Sequence, residues 1–105
     1  MVINIPAVST GLIEGASLNS FPAGSSELYN SFFGLGLGDK YGYGYGGPEP
    51  PVGSVAHTYV FTVYALSEAV PDQSAQQTPF SEAGFLALIE GKILAKTQLT
   101  GTFKR

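Results

Sequence analysis

His57 and Tyr59 are the residues whose types and spacing best suit binding chemistry. His57 is the single histidine of the chain. In an extended segment residues i and i+2 share a face, so the imidazole and the phenol project together, followed by Phe61 and Val63. Just before them runs a proline- and glycine-rich loop that begins at Gly46-Gly47 and reaches Gly53. A loop this stiff holds backbone groups close to whatever the two side chains contact, which is the layout of a small polar pocket at the mouth of a hydrophobic core. A plainer alternative stays open, in which His57 only starts a strand and bonds to backbone.

Other chemistries find less support. Nucleophilic catalysis needs a serine or cysteine, a base within reach and a group that orients the base. The sequence has no Gly-x-Ser-x-Gly elbow and no carboxylate beside His57, and a loop serine such as Ser54 near a histidine is common without catalysis. No spacing suggests paired carboxylates for glycoside chemistry. The chain is therefore expected not to be an enzyme. With no cysteine, disulfides and thiolate metal sites are excluded, and with one histidine a zinc site needs three carboxylates or a second chain. No metal and no cofactor is expected. Leu35 to Gly47 alternates glycine with leucine or tyrosine but lacks the strand, helix and acidic residue of a dinucleotide-binding loop. It reads as a flexible glycine- and tyrosine-rich loop over about 34–47, or as an adhesive surface carried by Tyr41, Tyr43 and Tyr45. A net charge of −3 with five scattered cations argues against a nucleic-acid partner, which requires a basic patch.

The elements that must position these residues follow from pattern. At 105 residues the chain is a single domain, 1–105. Val2–Ile5 reads as a short strand ended by Pro6. Ala7 to Gly53 is mostly loop, with a turn at Gly24-Ser25-Ser26 and a short helical turn over Glu27–Phe33. His57–Leu66 is the strongest strand, apolar on both faces and so expected to lie inside a sheet. Ser67–Gln77 is a polar connection. Thr78-Pro79 suits a helix start, and Phe85, Ile89 and Ile93 then share a face. Gln98–Lys104 is a closing strand. The fold class expected is α+β, mostly β.

The order of motifs adds a specific likeness. Gly47-Pro48-Glu49-Pro50-Pro51-x-Gly53, His57-x-Tyr59-Val60-Phe61 and Val63-Tyr64-Ala65-Leu66 resemble the phosphatidylethanolamine-binding protein family, in particular its bacterial Raf-kinase-inhibitor-like members. Asn4-Ile5-Pro6-Ala7, Gly11-Leu12-x-Glu14-Gly15, Asn30 and Gly34 agree upstream, and Gly91-x-Ile93-Leu94-Ala95 and Leu99-Thr100-Gly101-Thr102-Phe103-x-Arg105 agree downstream. The resemblance implies that family's β-sheet fold, truncated at its N-terminus, with one helix in the C-terminal half. It also implies a pocket for a small anion, phosphate or a phospholipid head group, with Pro50, Pro51, His57 and Tyr59 as the ligand-binding residues. In the family an Asp-Pro-Asp-x-Pro motif and a second histidine contribute to that pocket from strands that precede the segment matching Val2–Pro6, so the pocket is expected to be incomplete and weak. Glu49 stands where the family commonly has cysteine, and Thr58 where it usually has arginine or a similar polar residue.

Partners follow from what is left uncovered. Only 12 per cent of the residues are charged, low enough to suggest that part of the surface is covered by another molecule. A central strand with two apolar faces needs neighbours on both edges and a layer on each side, so the chain is expected to be a homo-oligomer or to bind a complementing polypeptide, with Val2–Ile5 at the junction. A purely structural, self-assembling subunit is the alternative. No apolar run is long enough to span a bilayer, and the N-terminus lacks a secretory pattern, so a cytoplasmic location is expected.

Overall fold

The computed structural model describes residues 1–35, 42, 44–73, 75–76 and 78–105. Its order is β1 (Val2–Ile3), β2 (Ser26–Glu27), β3 (His57–Leu66), α1 (Glu82–Ile89) and β4 (Ile93–Phe103). Among the described residues the elements are mostly β, with one helix, α1, in the C-terminal half, as the sequence indicates. Among the described residues the strands form two antiparallel pairs, β1 with β2 and β3 with β4.

The β3–β4 ladder is the long element. It runs from His57 opposite Phe103, through Tyr59 opposite Gly101 and Phe61 opposite Leu99, to Leu66 opposite Ile93. Ala65 faces Ala95 and Leu66 faces Ile93, so Leu94 is an extra residue, a bulge that bends the ribbon at this end. Past the bulge, Ser67 N–H donates to Lys92 O at 2.8 Å. Here β4 begins five residues earlier than the sequence pattern suggests. Gly91, at φ +73°, supplies the left-handed residue that ends α1 and turns the chain into the ladder. Ile93 therefore belongs to the strand rather than to the helical face of Phe85 and Ile89.

The helix also starts later than expected. Ser81, not Thr78, caps it: the Ser81 hydroxyl accepts from Gly84 N–H at 3.0 Å, and Glu82 stands in the first turn. The expected helical turn over Glu27–Phe33 is replaced at its start by β2, because Val2 and Ile3 pair with Glu27 and Ser26. Val2–Ile3 is thus committed to a pairing within its own chain. It stops at Asn4, whose φ of 57° suits asparagine and aims its amide at Val70. There Asn4 Nδ2 donates to Val70 O at 3.0 Å, and Val70 N–H donates to Asn4 Oδ1 at 2.9 Å. One side chain in this way replaces a strand neighbour.

The core sits at the Leu66 end of the ribbon. Ile3, Leu28, Val70 and Ile89 are buried together, with Tyr64, Leu66, Phe80, Phe85 and Leu88 packed against them. Tyr64 and Phe85 meet ring to ring at 5.9 Å. The rest of the ribbon stands clear of it: Val63 is 64% exposed and Leu99 70%. The expected inner strand is accordingly an open one, with β4 on one edge. Tyr41 and Tyr43 lie outside the described residues, as do Ser74 and Gln77 of the polar connection.

Two outcomes follow. Ile89 has 0% exposure, so Ile89→Ala should lower the unfolding free energy by about 2–5 kcal/mol in urea melts, whereas Val63→Ala should stay within about 0.5 kcal/mol. Equal losses at both positions would contradict this placement of the core. The second concerns Glu68, whose carboxyl is held below its ordinary value of 4.5 by the hydrogen bond and then the charge of Lys92. A carboxyl lowered by folding stabilises above its unfolded pKa and loses that contribution as pH falls through the folded one. A carbon-detected titration should therefore place the Glu68 midpoint below 4.5, and Lys92→Met should return it to that value.

Candidate functional site

At the far end of the ribbon from the core, a cleft of about 450 Å³ opens between the proline loop and the end of β4. Tyr45, Gly46, Gly47, Pro48, Glu49, Phe103 and Arg105 line it. Directly opposite residues of an antiparallel pair share a face. Phe103, opposite His57, therefore places the cleft on the face that carries His57, Tyr59 and Phe61. The Tyr45 ring packs against Phe61 on this face at 5.9 Å. Gly101, opposite Tyr59, has nothing within 4 Å of where a Cβ would stand, so the ribbon surface is open at that position.

None of the four residues expected to bind ligand lines the cleft; they lie beside it in the strand and the loop that border it. His57 is exposed and Tyr59 half-buried, and both belong to the shared face. Pro50 is buried and Pro51 exposed, and they continue the loop whose Pro48 and Glu49 form the cleft wall. The wall itself is made by the residues on either side of the expected set.

The loop is held in place from two directions. Pro51 O accepts from Ser54 N–H at 3.1 Å, and Gly53, at φ +79°, completes the turn and donates its N–H to Arg105 O at 3.2 Å. Arg105 Nη1 in turn donates to Glu49 Oε1 at 3.0 Å. Backbone and side chain of one residue thus fasten the loop to the end of β4.

The other direction is a polar relay that starts from a buried carboxylate. Glu27 is only 8% exposed, and both of its carboxylate oxygens accept hydrogen bonds. Ser17 Oγ donates to Oε1 at 2.6 Å, and Leu18 N–H donates to Oε2 at 3.0 Å, from a residue held at φ 64°. Ser17 Oγ also accepts from Tyr45 N–H at 2.7 Å. The relay runs from β2 to the edge of the cleft and fixes the backbone that carries the Tyr45 ring. Asn30 supports the same segment, its N–H donating to Gly42 O at 2.8 Å and its Nδ2 to Gly44 O at 3.1 Å. Gly42 admits no side chain, since a Cβ would fall 2.7 Å from Phe33 Cα. Ser17 and Arg105 were not legible as site residues. Ser17 acts across 28 positions of sequence, and Arg105 appears only as the end of a strand motif.

Chemically, the cleft offers a guanidinium, a carboxylate, two aromatic surfaces and two peptide units without side chains. A phosphoryl or carboxylate group suits the first, and an apolar stem the aromatics. Among the described residues no three of His, Cys, Asp and Glu gather closely enough to hold a metal ion.

Comparison with known proteins bears on the fold. The sequence matches the phosphatidylethanolamine-binding protein family over residues 1–104. The chain belongs to that family. It is similar to a UPF0098 protein of Aquifex aeolicus strain VF5, with 39% identity over 114 residues, covering 100% of this chain and 64% of the relative. Its fold is similar to the crystal structure of YbcL of E. coli, described as a new member of the mammalian PEBP family, with a TM-score of 0.75 and 28% identity over 99% of this chain and 58% of YbcL. The chain thus spans about three fifths of the length of these proteins. Among the described residues no helix is long and apolar enough to cross a membrane.

The relay can be tested directly. Ser17→Ala removes the partner of a buried carboxylate oxygen, and a cost of about 1–3 kcal/mol is expected. The Tyr45 amide should exchange faster with solvent in the same variant. Unchanged exchange at Tyr45 would detach the relay from the cleft.

Proposed function

We propose that this chain is a binding module that takes a small phosphoryl anion, weakly, at the cleft beside the proline loop, and acts through association with another polypeptide. His57 and Tyr59 supply donors from the β3 face, Pro50 and Pro51 stiffen the wall, and the glycines at 46 and 47 let backbone approach the ligand. The supporting observation is the position of the cleft, at the His57–Phe103 end of the ladder and lined by Arg105. Membership of a family named for binding phosphatidylethanolamine supports the phosphoryl group as ligand class. An open cleft with half-exposed donors suits a millimolar dissociation constant, about −4 kcal/mol. In this reading the module carries out no reaction, because the groups gathered at the cleft are donors and apolar walls rather than a nucleophile with its base.

The test is a titration of the full chain with inorganic phosphate and with phosphoethanolamine, following the His57 ring and the Tyr59 amide by NMR. Saturating shifts at millimolar ligand, reduced by His57→Ala, are expected. No shift at either residue would remove the binding reading. A hydrolase activity lost on His57→Ala, in a pure preparation, would remove the non-catalytic one.

A second reading, a self-assembling structural subunit, is favoured by the open ribbon. Phe61, Val63 and Leu99 are large apolar side chains left exposed on one face of it, and exposed apolar surface of this kind marks contact sites. Pairing with a second copy is expected to show as a dimer in sedimentation at micromolar concentration. A soluble, folded monomer there would exclude it.

A further inference from the structure

We propose that Arg105 is the charged anchor of the cleft and that the Glu49 carboxylate is its built-in competitor, occupying the guanidinium until a phosphoryl anion displaces it. This rests on the reading of the cleft as a small-anion site, and it adds a specificity device to that reading. Both side chains line the cleft, and Nη1 of Arg105 donates to Oε1 of Glu49 at 3.0 Å. Their side chains are 44% and 61% exposed, so the pair is screened by solvent and exchanges easily.

The backbones beneath the pair are fixed while its heads are free. Arg105 O is held by Gly53 N–H, and Glu49 stands between two prolines, of which Pro50 is buried. The carboxylate is therefore presented from a stiff segment, and the Gly53 bond holds the Arg105 backbone beside the loop. Glu49 contacts the guanidinium through one bond, whereas a phosphoryl group carries more negative charge and takes the planar fork through two parallel bonds. A ligand carboxylate can take the fork through two bonds as well, but it brings a single charge, no more than the Glu49 carboxylate it would displace. The device thus favours phosphoryl anions over carboxylates.

The experiment titrates the full chain, as wild type, Glu49→Gln, Arg105→Gln and the double variant, with inorganic phosphate, phosphoethanolamine and acetate. The readouts are the His57 ring, the Tyr59 amide and the Arg105 side-chain signals. Glu49→Gln should bind phosphate about two- to fivefold more tightly, the size of an exposed ion pair that no longer has to be broken. Arg105→Gln should weaken phosphate binding, and the double variant should bind no more tightly than Arg105→Gln alone. Acetate should shift nothing in the wild type and bind weakly to Glu49→Gln. Equal affinities for phosphate and phosphoethanolamine would assign the site to the phosphoryl group alone, and tighter binding of phosphoethanolamine would assign it to a head group; both results support the displacement. Phosphate shifts at His57 and Tyr59 that Glu49→Gln and Arg105→Gln leave unchanged would overturn it while leaving the anion site standing. No shift with any anion in any variant would overturn both.

Discussion

The β3–β4 ladder is the constraint on which the rest of this structure depends. Ten residues of β3 are matched along β4 from His57–Phe103 to Leu66–Ile93, and only the second end is packed into the core. The bulge at Leu94 and the left-handed turn at Gly91 bring that end against α1, where Tyr64 meets Phe85. Because strand pairing transmits position along the whole ribbon, burying Leu66 also fixes where His57 and Phe103 stand. The cleft is a consequence of leaving that end of the ribbon unpacked.

Fixing the ribbon does not by itself make a site, since the loop opposite must be held as firmly. That task falls on polar contacts between distant parts of the chain. Glu27, the buried residue of β2, accepts hydrogen bonds from Ser17 and Leu18, and Ser17 passes the constraint to Tyr45. Asn30 pins Gly42 and Gly44, and Arg105 ties Gly53 and Glu49 to the end of β4. Linked polar contacts of this kind, built on a buried carboxylate, hold one geometry because leaving that carboxylate unpartnered is costly. The short β1–β2 pair earns its place through this network as much as through Ile3 in the core.

How much of this was legible depended on the range of the interaction. His57–Leu66 announced itself through β-branched and aromatic residues, and the alternation put His57 and Tyr59 on one face. The family was legible too, because its motifs are local and ordered. The start of β4 was misread because Ile93-Leu94-Ala95 continues the apolar spacing of α1, and only the ladder with Tyr64–Leu66 decides between helix and strand. Ser81 outcompeted Thr78 as cap for a reason three residues long, the reach of its hydroxyl to Gly84 N–H. The inner character assigned to β3 rested on two apolar faces, a pattern that records what a strand can bury and not what covers it. Pro50 and Pro51 lie in the loop that borders the cleft, but its lining falls to their neighbours Pro48 and Glu49, with Pro50 buried.

The central claim is the place where a phosphoryl anion sits, and diffraction reads it most directly. A crystal of the chain soaked in tungstate, a heavy analogue of phosphate, should give an anomalous peak in the cleft between the proline loop and Phe103, within hydrogen-bonding distance of Arg105. A peak elsewhere, for instance at the Ser81 end of α1, or an empty cleft at saturating anion would contradict the account.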